Sequence, residues 1–165
     1  SLVPQQPELF HRSVRENITL GEDVPENLLK DVAEKSRSLE FIENLPENFE
    51  TKVGERGVKL SGGEKQRIAI ARSLLEDAPI VVLDEATSAL DSLTEKQIQV
   101  AVFELIKDKT AIIIAHRLST ILRMDRIVVL EKGNIIEQGT HQDLLRTKGK
   151  YYDMWQHQSG GFLGE

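Results

Sequence analysis

Two adjacent carboxylates, Asp84 and Glu85, follow a short apolar run at residues 80–83. A β-branched run of this length is typical of a strand buried on both faces of a parallel sheet, and ligands bind at the carboxyl ends of such strands. One carboxylate there can hold Mg²⁺ through water, and the other can orient or deprotonate an attacking water. The alternative interpretation is an acidic helix start, where Asp and Glu are favoured.

His116 follows a second apolar run, at residues 111–115. Because the carboxyl ends of parallel strands meet at one edge of a sheet, we expect His116 to lie near Asp84 and Glu85. There it can hydrogen-bond a terminal phosphate or the attacking water. A structural histidine is the alternative.

The sequence Ser61-Gly62-Gly63-Glu64 has the spacing of a capping box, with Ser at the N-cap and Glu three residues later. It predicts a helix that runs to about Glu76. Free backbone N–H groups at a helix start, with the positive end of the helix dipole, form an anion site, and glycines let a phosphate approach closely. A plain capped helix is the alternative.

The elements that must position these residues follow from periodicity and turn signals. Residues 1–22 are predicted to be loop. Residues 23–50 are predicted to be helical, with a start near Asp23 and an end near Pro46. The apolar runs at 80–83 and 111–115, with a helix at about 92–107 between them, predict a right-handed parallel crossover between buried strands.

The last part of the chain carries turn and cap signals of its own. Residues 127–130 and 135–136, separated by Lys132-Gly133-Asn134, predict a hairpin at a sheet edge. Thr140 and Asp143 are predicted to cap a last helical segment. That segment ends in an aromatic packing cluster made of Tyr151, Tyr152 and Trp155.

The length, charge and cysteine content of the chain argue against several classes of function. The chain has 165 residues, which fits one domain. Its 21 Lys and Arg against 27 Asp and Glu give a net charge of -6, which argues against a general nucleic-acid or anionic-membrane binder. The absence of cysteine excludes disulfides, thiolate zinc sites and a cysteine nucleophile. No apolar run approaches the ~20 residues of a membrane span, and no signal peptide is evident at residues 1–20, so we expect a soluble chain.

The order of these motifs along the chain resembles the nucleotide-binding domain of ATP-binding cassette (ABC) transporters, over nearly the whole length. The matching positions are Gln5, Leu60-Ser61-Gly62-Gly63-Glu64, residues 80–85, Ser88-Ala89-Leu90-Asp91 and His116. Gln6 adjoins Gln5, and the choice between them rests on the Val3-Pro4-Gln5 pattern. The resemblance implies an α/β fold, with a partial P-loop NTPase-like core of mostly parallel sheet and an inserted α-helical subdomain.

The resemblance also implies roles and domain boundaries. Residues 1–22 would be the Gln-loop and entry segment, 23–76 the helical subdomain with the signature motif, and 77–165 the later half of the catalytic core. Implied catalytic residues are Glu85 as general base and His116 as the switch histidine. Implied nucleotide-binding residues are Gln5, Ser61, Gly62, Gly63, Glu64, Asp84 and Asp91. Asp84 and Gln5 would hold Mg²⁺, largely through water.

The implied function is ATP binding and hydrolysis in an exporter-type transporter, at the cytoplasmic face of a membrane. The implied cofactors are ATP and Mg²⁺. The implied partners are a second nucleotide-binding domain, in a head-to-tail dimer, and a transmembrane domain, with no nucleic acid. The segment at 51–57 resembles one that contacts the membrane domain in exporters, which makes Glu55 a coupling candidate.

The chain contains no G-x-x-x-x-G-K-[ST] motif. By resemblance, residue 1 is expected to lie in mid-domain and the isolated chain to be inactive. Two alternatives stay open: a non-transport ABC-type ATPase, and a non-catalytic dimerisation or regulatory fragment. Lys59, Lys65, Arg67 and Arg72 are expected to form a solvated helix face, although Arg67 could also steer phosphate.

Overall fold

The structure is a computed structural model, and it describes residues 1–54, 57–84, 92–115 and 118–160. The chain divides into two compact units, residues 1–114 and residues 115–165, which are described separately.

The first unit contains a parallel sheet of three strands, β1 (Leu2–Val3), β2 (Ile80–Asp84) and β3 (Thr110–Ile114), in the order β1-β2-β3. Helix α5 (Ser92–Ile106) lies between β2 and β3 in the chain. The predicted strand–helix–strand unit with parallel strands is therefore confirmed. The carboxyl ends of β2 and β3 therefore lie at the same edge of the sheet, as the sequence predicts for Asp84.

Only one face of this sheet is buried by the residues that the structure describes. Val81 and Leu83 are buried, whereas Ile80 is 52% exposed and Ile112 55% exposed. The prediction that both strands are buried on both faces is therefore wrong for this part of the chain. The reason is that α4 (Gly62–Glu76) and α5 supply the apolar side chains that pack on Val81 and Leu83, and no described element does the same for Ile80 and Ile112.

Short helices precede α4 in the chain. They are α1 (Val14–Thr19), α2 (Glu26–Lys35), α3 (Leu39–Glu43) and a 3-10 turn (Asn48–Glu50). The predicted helical character of residues 23–50 is confirmed, but α2 begins after Pro25 with no side-chain cap, not at Asp23.

The prediction of a loop over residues 1–22 is wrong at two places, β1 and α1. The α1 helix has a full capping box, in which the Ser13 Oγ accepts from the Glu16 backbone N–H and the Glu16 carboxylate accepts from the Ser13 N–H. A helix of six residues is too short to show helical periodicity. The Ser13-x-x-Glu16 spacing was the signal available for it.

Helix α4 packs into two hydrophobic cores. Ile68 and Ala71 belong to a core shared with α1, α2, α3 and the 3-10 turn. Ala69 and Ile70 belong to a second core with β1, β2 and α5. Successive residues of one helix therefore bury their side chains on opposite sides, and this holds the start of α4 in a fixed place beside the sheet.

We expect Gly57→Ala to destabilise the first unit by about 1–3 kcal/mol, the usual cost of overpacking. A Cβ at Gly57 would overlap the Lys52 carbonyl group and stand 2.9 Å from the backbone N of Val53, and backbone atoms cannot rotate away. Chemical denaturation measures the effect. Gly139→Ala is the matched control, because a Cβ there meets its nearest neighbour at 3.4 Å, and an equal loss in both variants would contradict the steric explanation.

The second unit contains α6 (Leu118–Ile121), the antiparallel strands β4 (Ile127–Glu131) and β5 (Asn134–Gly139), and the helices α7 (His141–Thr147) and α8 (Lys150–Gly160). The hairpin is confirmed, and within the described residues β4 and β5 form a two-stranded sheet of their own. Thr140 caps α7 by accepting from the Asp143 N–H, as predicted.

The last helical segment consists of two helices rather than one. Lys148 takes a left-handed conformation with φ 51°, which ends α7. The Glu137 carboxylate then accepts from the backbone N–H groups of Lys150 and Tyr151, and so caps α8. Tyr151 is buried and its hydroxyl lies 2.8 Å from Nδ1 of His141, which agrees with a packing cluster.

Among the described residues, none of the helices has both the length and the apolar character that crossing a bilayer requires.

Candidate functional site

Asp84 and Gln5 lie at the same edge of the sheet, where β2 and β1 end. Asp84 is the last residue of β2, and Gln5 comes two residues after β1. Val3 pairs with Leu83 in parallel register, so the two neighbouring strands end side by side. Gln5 is exposed and Asp84 half-buried. A carboxylate and an amide oxygen are hard donors of the kind that Mg²⁺ prefers, so the two residues fit a magnesium site that completes its coordination with water.

No group of three or more metal-ligating side chains occurs in the part of the chain that the structure describes. The prediction that Gln5 and Asp84 hold Mg²⁺ largely through water stays a prediction; Mg²⁺ keeps several of its own water molecules when few protein ligands are available.

Seven residues singled out from the sequence lie outside the described residues. They are Glu55, Glu85, Ser88, Ala89, Leu90, Asp91 and His116. Asp84 and Ile114 are paired at the ends of the neighbouring strands β2 and β3. The roles of these seven residues stay predictions.

Ser61 begins α4 in the way that the sequence predicts. Its Oγ accepts from the Glu64 backbone N–H at 3.3 Å, and Glu64 Oε2 accepts from the Ser61 backbone N–H at 2.7 Å. The Ser61 hydroxyl also donates to Glu64 Oε2 at 2.8 Å. Ser61 and Gly62 are exposed, and Gly63 is buried. The positive end of a helix of fifteen residues is thus open at Ser61 and Gly62.

The start of α4 lies against the segment that carries Gln5. The Gln66 Nε2 group donates to the Pro4 carbonyl oxygen at 3.3 Å. An open cavity of about 740 Å³ is lined by Glu8 and His11, which follow Gln5 in the chain, and by Lys59 and Lys65, which flank Ser61. The structure therefore brings residues 60–64, the Ser61 motif, close to residues 4–10, the Gln5 segment.

The expectation of a solvated basic face on α4 is wrong for Arg67 and Arg72. Arg67 is only 8% exposed, bonds to the Gln97 side chain and stacks 4.9 Å from the Phe41 ring centroid. Arg72 donates from Nε to the Asn17 carbonyl oxygen at 2.9 Å, and burial lowers its pKa. Sequence reasoning missed both because their partners are distant in sequence, and no local signal marks them.

Lys59 and Lys65 behave differently from the two arginines. Lys59 is exposed, as expected of a solvated basic face, whereas Lys65 is half-buried. Both remain close to Ser61 in the sequence, so positive charge flanks the exposed helix start.

A parallel sheet with carboxylate and amide side chains at its carboxyl edge, together with a helix start that contains two glycines, is typical of α/β proteins that bind phosphate groups. The profile of the family described as "ABC transporter" matches residues 1–88, more than half of the chain. The chain belongs to the ABC transporter family.

The chain is 53% identical, over 99% of its length, to a Haemophilus influenzae protein named as an uncharacterized ABC transporter ATP-binding protein. It is 53% identical, over 98% of its length, to an ATP-dependent lipid A-core flippase of Alkalilimnicola ehrlichii. The chain spans 28% of the length of each of these relatives.

A solved structure of a bacterial Atm1-family ABC exporter with ATP bound is also similar to this chain. The TM-score is 0.85 at 46% sequence identity, and the match covers 96% of this chain and 28% of that one.

Proposed function

We propose that this chain is part of the ATP-binding and ATP-hydrolysing domain of an exporter-type ABC transporter. The observation that carries the proposal is the placement of Asp84 and Gln5 at one sheet edge, with the helix that begins after Ser61 hydrogen-bonded to the residue before Gln5. The similarity to an Atm1-family exporter and to lipid A-core flippases supports the exporter type. The flippase name gives lipid A-core as cargo and the name of the Atm1-family exporter gives none, so the proposal leaves the cargo open.

The proposed reaction is transfer of the terminal phosphoryl group of ATP to water. Glu85 orients the attacking water and accepts its proton, and His116 donates a hydrogen bond to the terminal phosphate. Asp84 and Gln5 would hold Mg²⁺ through its water shell, and the bound ion would stabilise negative charge on the phosphate oxygens. Fixed donors of this kind need no reorganisation during the reaction, and this is the physical source of the rate gain.

Two such domains would meet head to tail. Ser61 and the backbone amides of Gly62 and Gly63 would donate to the phosphates of an ATP held on the partner domain, with Glu64 beside them and Asp91 reaching across. Binding of ATP would close the pair and hydrolysis would reopen it. The movement would reach a transmembrane domain through the Gln5 segment and Glu55, at the cytoplasmic face of the membrane.

Hydrolysis of ATP by the full-length protein in lipid vesicles tests the proposal. We expect steady phosphate release that requires Mg²⁺ and stops when a chelator is added. Folded protein that binds ATP but releases no phosphate would contradict the ATPase function.

A second prediction concerns the 165-residue chain alone. Because its sequence contains no P-loop lysine to reach the β- and γ-phosphates, we expect weak Mg-ATP binding and no hydrolysis by the isolated chain. Calorimetric titration measures the binding. A micromolar dissociation constant would show that the residues present here suffice for the nucleotide site.

A further inference from the structure

The backbone that carries Gln5 is attached to α4 at two points. The first is the hydrogen bond from Gln66 to the carbonyl oxygen of Pro4, the residue directly before Gln5. Gln66 is only 3% exposed, so this donor has little access to water. Leaving a buried donor without its acceptor costs free energy, so the position of Pro4 that keeps this hydrogen bond is favoured.

The second attachment lies at Phe10 and runs through Asn17. The Asn17 side chain, fully buried, accepts from the Phe10 backbone N–H at 2.8 Å and donates to the Phe10 carbonyl oxygen at 3.0 Å. Arg72 in turn donates to the Asn17 carbonyl oxygen, and its guanidinium lies 5.9 Å from the Phe10 ring centroid. The segment from Pro4 to Phe10 is thus held at both ends by side chains that connect to one helix.

Both attachment residues, Gln66 and Arg72, lie on the helix that begins after Ser61. At 1.5 Å per residue, Gln66 stands about 6 Å along the helix from Gly62, and Arg72 about 9 Å beyond Gln66. A helix that is hydrogen-bonded throughout moves as a rigid body on this scale. The hydrogen bond to Pro4 therefore fixes the position of the Gln5 backbone relative to α4.

We propose that Gln66 is a positioning residue for Gln5. Through its hydrogen bond to Pro4, Gln66 holds Gln5, the glutamine on the metal side of the site, to the helix that begins after Ser61. The inference rests on the proposed function. Gln66 touches neither nucleotide nor metal; it acts through the backbone of Pro4. The magnesium requirement is therefore the quantity that should respond, because Gln5 is the metal-side residue that Gln66 holds.

The test uses the full-length protein with the substitution Gln66→Met, which keeps the length of the side chain and removes the donor. Losing one hydrogen bond predicts a rise of about 3- to 10-fold in the Mg²⁺ concentration for half-maximal ATP hydrolysis. It predicts an equal rise in the dissociation constant of Mn²⁺, measured without turnover by electron paramagnetic resonance with a non-hydrolysable ATP analogue bound. The KM for ATP at saturating Mg²⁺ should stay within about 2-fold, since no ATP contact is lost. Gln142→Met, an exposed position on α7, is the matched control and should change none of these values.

A double-mutant cycle separates positioning from a general loss of structure. If Gln66 acts through Gln5, Gln66→Met should add nothing to the Mg²⁺ requirement of Gln5→Ala. Additive effects, or an unchanged requirement in Gln66→Met, would overturn the inference. An inactive wild-type protein would instead contradict the proposed function.

Should Gln66→Met unfold below the assay temperature, Arg72→Lys tests the same attachment from its other end. It keeps a positive charge but lacks the planar guanidinium that reaches Asn17 and Phe10. We expect a smaller rise in the same Mg²⁺ requirement, and no rise would overturn the inference.

Discussion

Replacing Glu85 by Gln in the full-length protein is expected to lower ATP turnover by about 10²–10⁴-fold, the usual contribution of a positioned general base. Glutamine has the same shape but cannot accept a proton, so the attacking water keeps both of its protons. ATP binding should be nearly unchanged, because Glu85 is proposed to contact the water and not the nucleotide. Steady-state phosphate release and equilibrium binding of ATP measure the two effects separately.

The control for this prediction is Glu34→Gln. It removes the same charge from an exposed position on α2, a helix that carries none of the proposed site residues. Its turnover should equal that of the wild type. Turnover of Glu85→Gln at the wild-type rate would remove Glu85 from the role of general base, whereas loss of ATP binding together with turnover would indicate a binding role instead.

Ile70→Ala is expected to reduce the free energy of unfolding by about 2–5 kcal/mol, the range for removing a large aliphatic side chain from a core. Ile70 is 0% exposed and packs with Val3, Val81 and Leu83 in the core beneath the sheet. The void would lie directly below the strands that carry Asp84 and lead to Gln5. Denaturant unfolding gives the free energy.

The matched control for Ile70→Ala is Leu28→Ala on α2, where the side chain is 41% exposed. It removes a similar apolar volume from a helix without opening a buried void, so its cost should be well below that of Ile70→Ala. Equal costs in the two variants would show that the core around Ile70 collapses around the missing atoms.

Local signals were sufficient for the elements that position the candidate site. The Ser61-x-x-Glu64 spacing predicted the start of α4, and the apolar run at 80–83 predicted β2, because capping and strand burial depend on neighbouring residues. The same logic placed Asp84 at a strand end. The parallel pairing of β2 with β3 followed from the helix between them.

Long-range contacts were the part that the sequence could not supply. The burial of Arg67 depends on Phe41 and Gln97, which are far from it in the chain. Likewise, the apolar run at residues 80–83 indicates a buried strand but does not indicate which elements cover each of its faces. The exposure of Ile80 was therefore not predictable. The attachment of Pro4 by Gln66 has no sequence signature of any kind.

The position of α4 between two cores has a consequence for how the first unit comes apart. Because Ile68 serves one core and Ile70 the other, neither core can open without stripping apolar contacts from the same helix. Beyond the exposed first turn, the backbone amides of α4 should therefore exchange with solvent deuterium only through the global opening of residues 1–114, as slowly as the slowest amides of β2. Hydrogen exchange would show the two cores as one cooperative folding unit.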